Sequence, residues 1–169
     1  MISLLAICLQ NTFAQSTFAQ STNKPEPAFP FLSALNNVRD LSLSASQDEA
    51  YFTIQSPAED KGVIVCMKKS DDLWGPPELL PFCGRYRDIE PFLSPDGLRL
   101  YFSSDRPVQA NSHEAKDYDI WFVWRSTVAD QWSEPIHLGP QVNTAKNEFY
   151  PAITRQGNLY FTSDAPGGA

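Results

Sequence analysis

The chain states one pattern three times, and that repetition restricts its possible folds more than any other feature. "LSASQDEAYFT" (residues 43–53) lies on "LSPDGLRLYFS" (93–103) without a gap, at an offset of fifty. A third copy starts at Tyr150-Pro151, where Tyr160 to Asp164 match Tyr101 to Asp105 after one deletion. The second halves align too. "DLWGPPELL" (72–80) falls on "DQWSEPIHL" (130–138), pairing Trp74 with Trp132 and Pro77 with Pro135. Each is preceded by an apolar run, "GVIVCM" in one copy and "YDIWFVW" in the other. Self-similarity at such a period marks a repeat architecture, in which each copy is one supersecondary unit that buries its faces against its neighbours.

Each unit reads as four strands, A to D. Strand A is "PFLS", followed by an "SPDG" turn in which Pro95 presets φ and Gly97 suits the exit. Strand B, "LRLYFSS", alternates so that Leu98, Leu100 and Phe102 share a face, and Tyr101 makes the other face half apolar. Strand C, "DIWFVW", is a continuous apolar run, the pattern of a strand covered on both sides. Strand D holds the W-x-x-P segment, where Trp74 and Trp132 are expected in equivalent buried places. Fourteen Pro and eight Gly cut the chain into short elements, which argues for an all-β fold. Four strands repeated every fifty to sixty residues predict β-propeller blades.

"SPDGLRLYFSSDRP", "DYDIWFVWRS" and "GPQVNTAKNEFYPAIT" resemble the PD40 (WD40-like, TolB-type) β-propeller repeats of bacterial envelope proteins, over roughly Arg39 to Ala169. The resemblance implies an incomplete propeller of about two and a half four-stranded antiparallel blades, at about 39–88, 89–147 and 148–169, the last truncated. It also implies a non-catalytic binding or scaffold module with a protein or peptidoglycan-associated partner. The alternative is a propeller accessory domain of a peptidase or glycan-acting hydrolase. Two places depart from the pattern. "SASQDE" replaces the "SPDG" turn in the first copy, which suggests a degenerate blade, and Arg155-Gln156 replace Pro-Asp in the third. At about 45 residues per blade a six-bladed ring takes on the order of 270 residues. Residues 39 to 169 supply 131, so the expectation is a piece of a larger propeller or a half-propeller that completes itself by oligomerising.

The N-terminus is different in kind. "MISLLAICLQNTFAQ" is an apolar run too short to span a bilayer, and the two "TFAQS" copies offer cleavage after Ala14 or Ala19. Residues 1–20 are expected to be a signal peptide and 21–38 a Pro-rich linker, with export to the periplasm or the outer-membrane periphery. Lipidation at Cys8 is disfavoured by Ile7, which stands where that processing wants a small residue.

Charge and cysteine usage narrow the chemistry. With 13 Lys and Arg against 20 Asp and Glu the net charge is -7, and no basic stripe is visible, which excludes a nucleic-acid partner. Cys66 and Cys83 have no second Cys or His at ligand spacing, so no metal and no cofactor are expected. They are also expected not to bridge each other, Cys66 lying along strand C and Cys83 in a loop beyond strand D. His113 and His137 are the only histidines, no Ser or Cys has a recognisable nucleophile setting, and the sialidase turn S-x-D-x-G-x-T-W is missing. No catalytic residue is assigned.

Loop lengths then choose a face. The B–C loop "SSDRPVQANSHEAKDYD" and the D–A loops "PFCGRYRDIE" and "PQVNTAKNEFY" are long and are expected on one side, where binding residues of a rigid scaffold usually sit. The candidate partner-binding residues are Arg85, Arg87, Asp88, Glu90, Asp105, Arg106, Asp117, Asn143, Asn147 and Glu148. Asp105 and Asp164 also read as turn carboxylates bonding local backbone. Asp117 and Asp119 are either cation ligands or a solvated turn. Asn143, Thr144 and Asn147 read as caps of their own turn, and Glu90 and Glu148 as residues approaching a central channel.

Overall fold

The structure, a computed structural model, describes residues 29, 32, 33, 35, 37–109 and 116–167. The signal segment, Cys8, most of the linker and His113 lie outside the described residues. The fold is all-β and antiparallel, an incomplete propeller. Its strands are β1 (Val38–Leu43), β2 (Glu49–Gln55), β3 (Gly62–Ser70), β4 (Leu73–Trp74), β5 (Glu78–Leu79), β6 (Asp88–Leu93), β7 (Arg99–Ser104), β8 (Asp119–Trp124), β9 (Ile136–His137), β10 (Glu148–Ile153) and β11 (Leu159–Ser163). Blade 1 has the order β1-β2-β3 with β4 and β5 both pairing β3, blade 2 the order β6-β7-β8-β9, and blade 3 the pair β10-β11.

The repeat alignment holds pair by pair. Phe52 faces Val65 and Phe102 faces Trp121 across the B–C ladders. Val65 then faces Leu79 and Trp121 faces His137 across the C–D ladders. The Gly75 N–H donates to Lys68 O at 2.8 Å, and Ser133 N–H to Trp124 O at 2.8 Å. Trp74 and Trp132 therefore occupy equivalent backbone positions. Both are half-buried rather than buried, because strand D is the outermost strand and each indole covers one side only. Strand D is also shorter than expected: Trp132 lies ahead of β9, and blade 1 splits the strand into β4 and β5.

The first copy is not degenerate at its turn. Gly97 has φ 73° and donates to Ser94 O at 2.8 Å, and Gly157 has φ 89° and donates to Thr154 O at 3.0 Å. In "SASQDE" Gln47 takes the same left-handed conformation, φ 58°, and donates to Ser44 O at 2.9 Å. Glycine populates that region without the steric cost a side chain meets. Blade 1 thus keeps the turn geometry with a less suitable residue.

The innermost strands carry a second repeated irregularity. Register slips between Arg39 and Ser42, between Ile89 and Phe92, and between Phe149 and Ala152. Asp40, Glu90 and Tyr150 stand at these bulges with φ of 61°, 58° and 51°. A bulge re-aims a side chain and bends its strand, and here it does so at the same place in all three copies.

The core between blades 1 and 2 is formed by Tyr51, Ile64, Cys66 and Leu80 from one side and Leu93, Leu100, Phe102, Trp121 and Val123 from the other. Trp132 packs at its margin, edge-on to Tyr51 with ring centroids 6.1 Å apart. Beneath it the Arg125 guanidinium lies 4.4 Å from the Trp132 ring and forms a buried ion pair with Glu49 of blade 1. Arg125 also donates to the Gly97 and Val128 carbonyls, each at 2.9 Å. One side chain joins two blades, an A–B turn and a C–D loop. Leu98 is half-buried beside the fully buried Leu100 and Phe102.

Candidate functional site

The long loops share a face because the same backbone tie recurs in every blade. The N–H of Gln55, Asp105 and Asp164 donates to the carbonyl of Asn37, Arg87 and Asn147 in turn, at 3.1, 3.3 and 3.0 Å. Each tie joins the end of strand B to the residue just ahead of strand A. In blades 2 and 3 the carboxylate adds a second link. Asp105 accepts from the Arg87 N–H at 2.8 Å and from Arg87 Nε at 2.7 Å, and Asp164 Oδ2 accepts from Asn147 Nδ2 at 2.9 Å. These carboxylates reach a residue far along the chain, whereas turn chemistry alone predicts a local backbone partner.

Six of the ten candidate residues are buried: Asp88, Glu90, Asp105, Arg106, Asn143 and Glu148. Arg106 binds Asp88 through Nη2 and Ser104 Oγ through Nε at 3.0 Å. Its guanidinium lies within 6 Å of the rings of Phe82, Tyr86, Phe102 and Trp121. Glu148 is occupied in the same way, accepting from Thr144 N–H at 3.0 Å, Thr144 Oγ1 at 2.7 Å and Ser163 Oγ at 2.8 Å. Asn143 brackets the backbone of Ile120, accepting from its N–H at 2.8 Å and donating to its carbonyl at 3.0 Å, and Asn147 Oδ1 accepts from Tyr118 N–H at 3.1 Å. Both tie the D–A loop to β8 rather than capping their own turn.

Asp119 is fully buried, not part of a solvated turn. Its Oδ2 takes Lys116 Nζ at 2.8 Å and His137 Nε2 at 3.1 Å. The Gly139 N–H donates to His137 Nδ1 at 3.2 Å, and Asn143 Nδ2 lies 2.7 Å from His137 Nε2. Asp117 pairs with Lys116 at 2.9 Å. Among the described residues no three His, Cys, Asp or Glu side chains gather as a metal site. Cys66 and Cys83 are free thiols. Burial pushes the Cys66 thiol up to about 11 and raises Cys83 as well, so neither is a ready thiolate nucleophile at neutral pH.

Glu90 stands at the inner bulge. It accepts from Tyr150 N–H at 2.7 Å and Ser103 Oγ at 2.9 Å, with the Arg39 guanidinium at 3.7 Å. Arg39 in turn donates to Tyr150 Oη at 2.7 Å, so residues of three blades meet here. Burial pushes the Glu90 carboxyl above its ordinary value of 4.5, and the hydrogen bonds only partly oppose this. A carboxyl raised in the folded state contributes stability at low pH that is lost as pH rises through the folded pKa. Glu90→Gln should therefore gain stability over the native chain as pH climbs above 4.5, with little difference below. Urea unfolding of both proteins at acid and neutral pH reads the effect, and a constant difference across that range would contradict it.

Among the described residues the loop face carries a groove of about 600 Å³ between blades 1 and 2. Asp60, Lys61, Arg85, Tyr86, Arg87 and Asp105 line it. Asp105 holds the Nε edge of Arg87, and the Tyr118 ring lies 4.8 Å from its guanidinium carbon. The guanidinium is thereby fixed, and among the described residues no acceptor engages its two terminal nitrogens. Arg85 rests over Tyr86 at 5.2 Å and is exposed. Lys61 and Tyr118 were not legible as site residues, since one sits in the short loop of blade 1 and the other is defined only by what folds over it. No protein-family model matches this chain, and no curated protein matches it either.

Proposed function

We propose that the chain is a PD40-type β-propeller binding module of the bacterial envelope, exported to the periplasm or the outer-membrane periphery. Its protein or cell-wall partner docks on the loop face and presents a carboxylate or similar anion to the groove of Lys61, Arg85 and Arg87. The observation that carries this reading is Arg87, oriented by Asp105 and covered by Tyr118, with no acceptor for its terminal nitrogens among the described residues. An arginine held in this way is organised for fork-like pairing with a carboxylate at small entropic cost. Three cations around one groove also stand out in a chain of net charge -7.

The chain should bind isolated peptidoglycan sacculi or a poly-glutamate peptide in a salt-dependent manner. Arg85→Glu combined with Arg87→Gln should weaken that binding on the order of tenfold or more, the scale of a lost charge-assisted pair, in protein whose unfolding transition still lies well above the binding temperature. Asp96→Ala and Asp130→Ala, on the opposite face, should leave binding unchanged. Loss of binding in the latter pair and not the former would refute the assignment of the face.

A further inference from the structure

A cavity of about 280 Å³ lies between blades 1 and 2 and shares no lining residue with the cationic groove. The buried Tyr51 and Cys66 form its floor, and Leu79, Leu80, Pro81 and Trp132 form its sides. Trp132 stands ahead of β9 and outside its ladder. Its indole meets the Tyr51 ring edge-on, with centroids 6.1 Å apart and planes at 73°, so the two rings make a corner.

The hydroxyl in this corner is unfinished. Tyr51 is 0% exposed, and among the described residues its Oη has no hydrogen-bond partner of good geometry. The polar groups around it are the Cys66 thiol, a weak partner, and the Arg125–Glu49 pair. That guanidinium already donates to Glu49, Gly97 O and Val128 O. Burial holds the Tyr51 hydroxyl well above the usual phenol range, so it keeps its proton and remains a donor. A buried hydroxyl is ordinarily paired, because leaving it unpaired costs its desolvation.

We propose that this cavity binds a neutral small molecule consisting of one aromatic ring with a hydrogen-bond acceptor, the ring in the corner of Tyr51 and Trp132 and the acceptor on the Tyr51 hydroxyl. Ligand pockets run from about 300 to 1,000 Å³, and a space of about 280 Å³ takes one ring and a short substituent. A ring in the corner stacks on one wall and meets the other edge-on, the two arrangements aromatic pairs prefer. Charge on the ligand gains nothing here. Lys68 and Arg125 are matched along the lining by Glu78 and Asp130, and Arg125 is spent on Glu49. A purely apolar ligand would leave the Tyr51 hydroxyl unpaired. The site is independent of the loop-face groove and of the function proposed for it.

The probes are acetophenone, which carries a carbonyl acceptor, and toluene, which does not. Titrated into the full chain and followed by amide NMR, acetophenone should bind with a Kd on the order of 1 mM, the affinity of a fragment of this size, with the largest shifts around Tyr51, Leu80 and Trp132. Toluene should bind on the order of tenfold more weakly, for want of the hydrogen bond. Tyr51→Phe deletes only a hydroxyl without a good protein partner, so the fold should persist. It should bring acetophenone down to the level of toluene and leave toluene unchanged. The native chain gives a second reading: acetophenone should slow methylthiolation of Cys66 by methyl methanethiosulfonate and leave Cys83, which lies outside the cavity lining, unchanged. No saturable binding, equal affinity for the two probes, an acetophenone affinity unmoved by Tyr51→Phe, or an unprotected Cys66 would each overturn the proposal.

Discussion

Arg125→Ala should destabilise the fold by about 3–5 kcal/mol, the cost of leaving one member of a buried ion pair without its partner. The Arg125 side chain is almost wholly inaccessible, and its guanidinium spends its donors on Glu49, Gly97 O and Val128 O while lying against the Trp132 ring. Removing it strands the Glu49 carboxylate, for which Lys68 at 3.6 Å is the remaining cation, itself largely exposed. It also withdraws the stem that fills the space under Trp132. Replacing both partners with apolar residues of similar shape, Glu49→Leu with Arg125→Met, should recover much of the loss, because two desolvation costs disappear together. Chemical denaturation of the single and double variants decides this. If Arg125→Ala costs less than about 1 kcal/mol, the pair behaves like a solvated surface bridge and the inter-blade clamp is wrong.

The second large effect lies in three phenylalanines that the repeat makes equivalent. Phe52→Ala and Phe102→Ala should each cost about 3–5 kcal/mol, since both rings are fully buried and truncation leaves a cavity. Phe161→Ala, the same residue of the same motif, should cost less than about 1 kcal/mol because its ring is already partly in water. All three phenylalanines follow a tyrosine at the same place of strand B, so the comparison holds residue type and strand position constant while burial differs. Equal losses at all three positions would mean that the Phe161 ring is as tightly covered as the other two.

The local elements were legible because they are written in local chemistry. The "SPDG" turn, the alternation of "LRLYFSS" and the apolar run of "DIWFVW" specify turn, half-buried strand and buried strand over a few residues each. Their recurrence then specifies the register, which the ladders reproduce from Phe52–Val65 and Phe102–Trp121 outward to Leu79 and His137. Where the reading went astray, the residue's partner lies far along the chain. Asp105 looks like a turn carboxylate in "SSDRP" and in fact orients Arg87, and Asp119 looks solvated in "KDYDIW" and is in fact fully buried beside Lys116 and His137. Gln47 failed in the opposite sense. A residue unsuited to a left-handed turn adopts it because the flanking strands pair regardless, tertiary contacts outweighing a local steric cost.

The candidate face divides along the same line. That long polar loops gather on one side follows from strand order and loop length alone. Which of their charges stay exposed is decided by packing. Arg85 and Arg106 are both arginines in polar loops, yet one is exposed over Tyr86 while the other is buried among four rings and bound to Asp88. A charged side chain carries no local mark of whether it will be desolvated, because desolvation is set by surfaces that meet only in the folded chain. The sequence by itself determined the strands, their order and the repeat. Only the tertiary structure decided which carboxylates and guanidiniums hold blades together and which stay exposed, since that depends on inter-blade distances that no window of sequence contains.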